Sequence, residues 1–143
     1  MGDAERIRTL RERLGRSSAE VAALVGLEDM EYFDLEFHDD ELSTVPSLAV
    51  IKRLASVLGV PTPALFIDES GVMPTRRISY AELASSVKAL IADGISQEAL
   101  EDDIGWALND FLESEAKALS EYGVEFLKAL CERLGVGWTE ALP

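Results

Sequence analysis

The residues from Ser17 to Leu27 constrain the fold of this chain more than any other stretch. Ser17 and Glu20 have the spacing of a capping box, in which two side chains satisfy free backbone amides at the start of a helix. The run ends at Gly26, where glycine suits a backbone turn that needs a positive φ angle. Leu27 then offers an apolar contact before a further helix begins at about Glu28. The stretch therefore predicts two helices joined by a tight turn.

Apolar residues at helical spacing predict further helices on both sides of a linker. In the first half they indicate a helix over residues 4–14, an acidic helix after Leu27, and a helix from about Pro46 to Gly59. Residues 67–78 contain Gly71 and Pro74, show no period, and are predicted to form the linker. The helices predicted after it run from Tyr80 to Ala92, Gln97 to Ile104, Ala107 to Lys117 and Glu121 to Leu134. The predicted fold class is all-α.

The second half repeats the layout of the first half. The run from Ser96 to Trp106 resembles the run from Ser17 to Leu27, and Gly105 stands where Gly26 stands. The helix that ends at Gly59 aligns without a gap with the helix that ends at Gly135. In that alignment Cys131 stands where the first half has Ala55, which predicts an inert, buried thiol rather than a nucleophile.

These residues resemble the Cro/C1-type, lambda-repressor-like helix-turn-helix family of transcriptional regulators. The resemblance is carried by Ser17-Ser-Ala-Glu-Val-Ala-Ala-Leu-Val-Gly-Leu27, by Glu36 at the end of the reading helix, and by Leu54-Ala-Ser-Val-Leu-Gly-Val60. It implies one such helical module at residues 4–66 and a second, divergent module at residues 79–143. In the family this fold binds DNA.

Charge restricts the partners that the protein can bind. The chain has 27 Asp and Glu against 13 Lys and Arg, which gives a net charge of -14. Such a charge opposes nonspecific attraction to nucleic acid and to anionic membranes and favours a basic partner. No apolar run is long enough to span a bilayer, the charged start lacks the apolar core of a signal peptide, and one cysteine excludes an internal disulfide. A cytoplasmic location is expected.

The sequence contains no motif that indicates catalysis. It lacks a Gly-rich phosphate loop, a zinc-type spacing of Cys or His, and a nucleophile elbow. His38 lies among acidic residues, but a single His without a second ligand motif is more typical of a solvated side chain than of a metal ligand. We therefore expect no enzyme activity, no cofactor and no metal site.

The helix after Leu27 carries acids where the resembled family carries residues that contact DNA. Family members place hydrogen-bond donors there, because phosphates and base edges offer mainly acceptors. The acidic helix is therefore predicted to bind a protein partner, either a basic protein or a second copy through the arginines of the first helix. The alternative interpretation of the same acids is a solvated face on a module that is kept only as a scaffold. The residues predicted to form this surface are Glu28, Asp29, Glu31, Asp34 and Glu36, with Tyr32 as an aromatic anchor.

Binding to DNA is the alternative that the resemblance implies. The first helix is rich in arginine, and two further arginines lie in the linker. The first-helix arginines could equally pair with the acids of the neighbouring helices. The residues available for nucleic-acid contact under this alternative are Arg8, Arg11, Arg76, Arg77 and Asn109.

Overall fold

Helices account for nearly all of the regular structure in this protein. The computed structural model describes residues 1–143, and its only extended pairing is an isolated antiparallel bridge between Ser47 and Gly123. The helices are α1 (Asp3–Arg13), α2 (Ser18–Val25), α3 (Asp29–Phe37), α4 (Glu41–Thr44), α5 (Leu48–Leu58), α6 (Tyr80–Ala92), α7 (Gln97–Ile104), α8 (Asn109–Glu113), α9 (Glu115–Glu121) and α10 (Val124–Leu134). Two short 3-10 turns, Thr62–Leu65 and Trp138–Ala141, follow α5 and α10. The predicted all-α fold class is confirmed.

Both ends of α2 form as their residues predict. The Ser17 hydroxyl accepts a hydrogen bond from the Glu20 backbone amide at 3.1 Å, and the Glu20 carboxylate reaches back to the Ser17 amide. Gly26 ends α2 with a φ of 86°, a left-handed conformation that glycine adopts without strain. Arg53 of α5 then donates to the Val25 carbonyl at 2.7 Å, which satisfies a free acceptor at the end of α2.

Several helices differ from the sequence prediction. The helix predicted from Ala107 to Lys117 is divided into α8 and α9, because Ser114 adopts an extended conformation. The Ser114 hydroxyl accepts a hydrogen bond from the Lys117 backbone amide at 3.1 Å and so caps the start of α9. α10 begins at Val124 rather than Glu121, since Gly123 is extended and a Cβ on it would lie 3.0 Å from the Pro46 carbonyl oxygen. The one-turn helix α4 was not predicted.

α5 and α10 are matched in length and in the way they end. Each has eleven residues and is followed by a left-handed glycine, Gly59 with a φ of 72° and Gly135 with a φ of 74°. In both cases the backbone amide after the glycine donates a hydrogen bond to a carbonyl of the helix. Val60 donates to Ala55 and Val136 donates to Cys131, each at 3.0 Å. Local structure after both helices is therefore the same, as the aligned sequences predict.

One continuous hydrophobic core joins the two halves of the chain. The two halves pack in the same way on each other. α5 of the first half contacts α9, the helix before α10, and α10 of the second half contacts α4, the helix before α5. Between these contacts the starts of α5 and α10 meet, where the Leu48 amide donates to the Tyr122 carbonyl at 2.8 Å. Phe66 follows the first 3-10 turn, and Trp138 begins the second. Their rings pack edge to face with centroids 5.2 Å apart.

The segment between the halves contains no helix, but ion pairs attach it to α1. Arg6 donates from Nε and Nη2 to Asp68 Oδ1 at 3.0 and 2.7 Å, and Arg13 pairs with Glu69. At its far end the Ile78 amide donates to the Glu140 carbonyl at 2.8 Å. The segment is thus attached to the first half at its start and to the second half at its end.

Candidate protein-docking surface on the acidic helix

α3 buries one narrow face and exposes the rest of its circumference. Tyr32, Leu35 and Glu36 point into the protein, where α3 packs against α1 and α2. At its start the Glu31 carboxylate accepts a hydrogen bond from the Glu28 amide at 2.9 Å, a capping interaction that the sequence prediction did not include. The orientation of α3 decides which of its residues a partner can reach.

Tyr32 cannot serve as the predicted aromatic anchor. Its side chain is 0% exposed, and its hydroxyl is buried without a hydrogen-bond partner. The pKa of the Tyr32 hydroxyl is raised far above its usual value. Burial is the largest cause, and the neighbouring Glu36 carboxylate is the second. Tyr32 is therefore a core residue and not part of a docking surface.

Glu36 also lies outside the accessible surface, which corrects the second predicted contact. It is 3% exposed, and its carboxylate receives two hydrogen bonds from Arg11, from Nε at 2.7 Å and from Nη2 at 2.9 Å. A carboxylate can be buried at this position because the arginine supplies both a countercharge and two donors. The pairing also removes Arg11 from the residues that are free to contact DNA.

The aromatic side chains that α3 does expose are Phe33 and Phe37. They are 45% and 56% exposed, and Met30, one turn before Phe33, is 67% exposed. The two rings stack with centroids 4.1 Å apart and planes inclined by 16°. We call Met30, Phe33 and Phe37 the α3 stripe. Large side chains grouped in this way on a charged surface mark an interaction site more often than isolated apolar residues do.

The accessible carboxylates at the start of α3 and along it have no Lys or Arg partner. Glu28, Asp29 and Glu31 are exposed, and no Lys, Arg or His nitrogen lies within 4.0 Å of their carboxylates. Asp34 is half-buried and has only His38 nearby, with Nε2 3.9 Å from Oδ1. Four of the six predicted surface residues, Glu28, Asp29, Glu31 and Asp34, are therefore accessible to a partner, whereas Tyr32 and Glu36 are not.

Asp39 has a structural role that the sequence did not reveal. Its Oδ1 accepts a hydrogen bond from the Ala4 amide at 3.1 Å and so satisfies a free donor in the first turn of α1. The residues lie 35 positions apart in the chain, and no local pattern signals a cap supplied from that distance.

The arginines of α1 are mostly engaged within the protein. Arg6, which is buried, donates to Asp3, Asp68 and the Leu65 carbonyl, while Arg11 pairs with Glu36 and Arg13 with Glu69. Arg8 has no carboxylate partner and donates only one hydrogen bond, to the Glu36 carbonyl at the long distance of 3.5 Å. α1 thus presents much less free positive charge than its sequence suggests.

The other residues predicted for nucleic-acid contact, Arg76, Arg77 and Asn109, have their polar partners in the second half of the chain. Arg76 lies 3.9 Å from Glu82, and Arg77 donates to the Leu142 carbonyl at 3.2 Å. Asn109 is exposed at the start of α8, where its Oδ1 accepts a hydrogen bond from Gln97 at 2.7 Å. The α8 helix that carries Asn109 has only five residues.

The sulfur and metal-binding chemistry of the chain is limited. Cys131 is buried in α10, and burial raises the pKa of its thiol to about 11, which suppresses the thiolate. No three His, Cys, Asp or Glu side chains are grouped so as to hold a metal ion.

A groove of about 710 Å³ lies beside α1. It contains Arg6, Arg13, Asp68 and Glu69, but these charges pair with one another.

Comparison with protein-family models, with curated proteins and with solved structures finds no significant match to this chain. None of its helices combines the length and the hydrophobicity needed to cross a membrane.

Proposed function

We propose that this protein is a non-catalytic interaction protein whose α3 surface binds a basic protein partner. The surface consists of the α3 stripe together with Glu28, Asp29, Glu31 and Asp34. The observation that carries the proposal is the exposed stack of Phe33 on Phe37 beside carboxylates that have no cation of their own.

The two components of this surface have different effects on binding. Unpaired carboxylates attract a basic partner over a distance of roughly 10 Å at moderate salt and raise the association rate. Burial of the exposed parts of three large apolar side chains contributes about 1 kcal/mol each. Together these side chains would slow dissociation by on the order of 100-fold. Charge thus favours encounter, and the α3 stripe favours retention.

Self-association through the arginines of α1 is the less favoured form of this function. Arg6, Arg11 and Arg13 already pair with carboxylates of the same molecule. A second copy would have to break these pairs before it could use the arginines. A separate protein with free Lys and Arg side chains needs no such rearrangement.

We also infer that the chain contains two Cro/C1-like helical modules in tandem. The support is local: α2 and α7 have eight residues each, begin after Ser17 and Ser96, and end at left-handed Gly26 and Gly105. The matched ends of α5 and α10 add to it. In the second module the position of the reading helix is occupied by the five-residue α8. The short α8 favours a second module that does not contact the base edges of DNA.

DNA-binding regulation of the Cro/C1 type is the second candidate, favoured by the α2–turn–α3 arrangement with Gly26 at the turn. It requires carboxylates of α3 to approach phosphates, which costs on the order of 1 kcal/mol for each close pair even in water. A gel shift on duplex DNA tests it. Binding that falls steeply with salt and weakens when Arg8, Arg76 and Arg77 are changed to Gln would favour this candidate. Absence of a shift at low salt would exclude it.

The proposed function is tested by changing the charge of α3 alone. Glu28, Glu31, Asp29 and Asp34 are changed to Gln or Asn, and the matched control carries the same changes at four exposed, unpaired acids of the second half, Glu98, Asp102, Glu121 and Glu132. Partners recovered from host extract by the wild type are purified, and their dissociation constants are measured by calorimetry. We expect the α3 variant to bind at least tenfold more weakly and the control to bind like the wild type. Equal binding by both variants would refute the function.

A further inference from the structure

The α3 stripe has the spacing of a helix-packing seam. Met30, Phe33 and Phe37 are separated by three and then four residues, the a–d–a spacing of a heptad. At 3.6 residues per turn these three side chains span only about 60° of the helix circumference. A narrow apolar stripe of this kind fits the side of another helix better than it fits a flat surface.

The stripe faces away from the protein. On the same helical wheel its centre lies about 140° from the centre of the buried face formed by Tyr32, Leu35 and Glu36. The core contacts of α3 and the α3 stripe therefore do not compete. A helix could pack along the stripe without unfolding or rotating α3.

Two carboxylates flank the stripe at the positions that select partners in helix pairs. Asp29 and Asp34 occupy the heptad positions next to the seam, each about 70° from its centre and on opposite sides. At these positions side chains of opposite charge on the facing helix form ion pairs across the seam. A facing helix that carried Asp or Glu there would be repelled.

We propose that the partner of this surface presents an amphipathic helix, with an apolar seam that packs on Met30, Phe33 and Phe37 and with Lys or Arg beside that seam. This inference rests on the proposed function and specifies the chemistry of the partner. Charge complementarity with Asp29 and Asp34 sets the composition of the partner helix. The stripe covers about two turns, since nine residues at 1.5 Å each give α3 a length of about 14 Å. Recognition therefore involves about two turns of the partner.

The test uses the full chain and synthetic peptides as probes. The first peptide has about fourteen Leu and Lys residues, with Leu at helical spacing. The second has the same composition with Leu and Lys in strict alternation, and the third is oligolysine with the same charge. Binding of each labelled peptide is measured by fluorescence anisotropy at low and at physiological salt. Only the helical peptide combines an apolar helix face with flanking charge.

We expect the helical peptide to bind at least tenfold more tightly than the other two at physiological salt. Changing Phe33 and Phe37 to Ser should remove this advantage, whereas changing the exposed Val72 of the linker to Ser should not. Asp29→Asn with Asp34→Asn should weaken binding most at low salt, and Glu98→Gln with Asp102→Asn should leave it unchanged. Circular dichroism of each variant verifies that its helices are intact.

Two outcomes would overturn the inference. If all three peptides bind alike and the Phe33 and Phe37 variant binds like the wild type, the surface recognises charge without a helix, and the proposed function survives alone. If no peptide binds to the wild type at low salt, a basic helix is not the ligand. Failure of the proposed function has a different signature, because host partners would then bind equally well to the four-carboxylate variant of α3.

Discussion

Arg11 holds the carboxylate of Glu36 through two hydrogen bonds, Nε to Oε2 at 2.7 Å and Nη2 to Oε1 at 2.9 Å. The carboxylate is buried and the guanidinium is mostly covered, so the pair fixes α1 against α3 with little access for water. This contact orients α3, and with it the α3 stripe.

Breaking the pair should therefore destabilise the protein strongly. Arg11→Met is expected to lower the free energy of unfolding by about 3 kcal/mol, because it leaves a buried carboxylate without a countercharge. The double variant Arg11→Met with Glu36→Met should recover most of the loss, since no buried charge remains. Urea denaturation measures both values. A cost below about 1 kcal/mol for the single variant would contradict this role.

Tyr32→Phe should not have the cost that is usual for removing a buried hydroxyl. The Tyr32 hydroxyl lies beside the Glu36 carboxylate but makes no hydrogen bond of normal geometry, so its removal sacrifices little and eliminates a buried, poorly satisfied polar group. The expected change is between zero and about 1 kcal/mol of added stability. Tyr80→Phe is a useful comparison, because the Tyr80 hydroxyl donates to the Phe111 carbonyl at 2.6 Å and its loss should be destabilising.

The glycines that end α2 and α7 should respond alike to substitution. Gly26 and Gly105 have φ angles of 86° and 83°, so Ala at either position is expected to cost about 1–2 kcal/mol. Gly26→Ala should cost slightly more, because its Cβ would lie 3.2 Å from Arg53 Nη1 whereas the space at Gly105 is open. Asn at either site should be tolerated better than Ala. A neutral effect of Gly105→Ala in thermal denaturation would show that the backbone there relaxes.

Cys131 should be unreactive in the folded protein. Its thiol is buried with a pKa of about 11, so roughly one thousandth of it is ionised at pH 8. Labelling with a thiol reagent should be at least tenfold slower in the native protein than in urea. Cys131→Ala should change stability by no more than about 1 kcal/mol and leave partner binding intact. Rapid native labelling, or loss of activity in that variant, would contradict a purely structural thiol.

The pair of Arg6 and Asp68 should make stability depend on pH in acid. The hydrogen bonds from Arg6 hold the pKa of Asp68 below its usual value, so the folded protein keeps this carboxylate ionised at lower pH than the unfolded chain does. Its contribution is present above the unfolded pKa of about 4 and is lost as the pH falls through the folded pKa. The melting temperature of Asp68→Asn should lie below that of the wild type from pH 7 to about pH 5, and the gap should close in stronger acid. A gap that does not change with pH would refute the assignment.

Short-range chemistry in the sequence determined where most helices begin and end. Ser17 with Glu20, the glycines at 26, 59, 105 and 135, and the period of the apolar residues act within one or two turns, so each can be read without knowing the fold. The bounds of α6 and α7 were predicted correctly for this reason. Ser114 carries a comparable local signal, because a serine at the N-cap position in front of α9 divides the helix predicted from Ala107 to Lys117.

Tertiary packing alone decided which face of α3 is buried. Its sequence places aromatic or acidic side chains around almost the whole helix, so the period of its apolar residues cannot distinguish Tyr32 from the adjacent Phe33. The choice depends on Arg11, which lies 25 residues before Glu36 and makes burial of that carboxylate favourable. Once Glu36 turns inward, Tyr32 and Leu35 follow it into the core, and Met30, Phe33 and Phe37 are left in solvent. A sequence specifies the members of such a pair, but only the folded chain brings them within hydrogen-bonding distance.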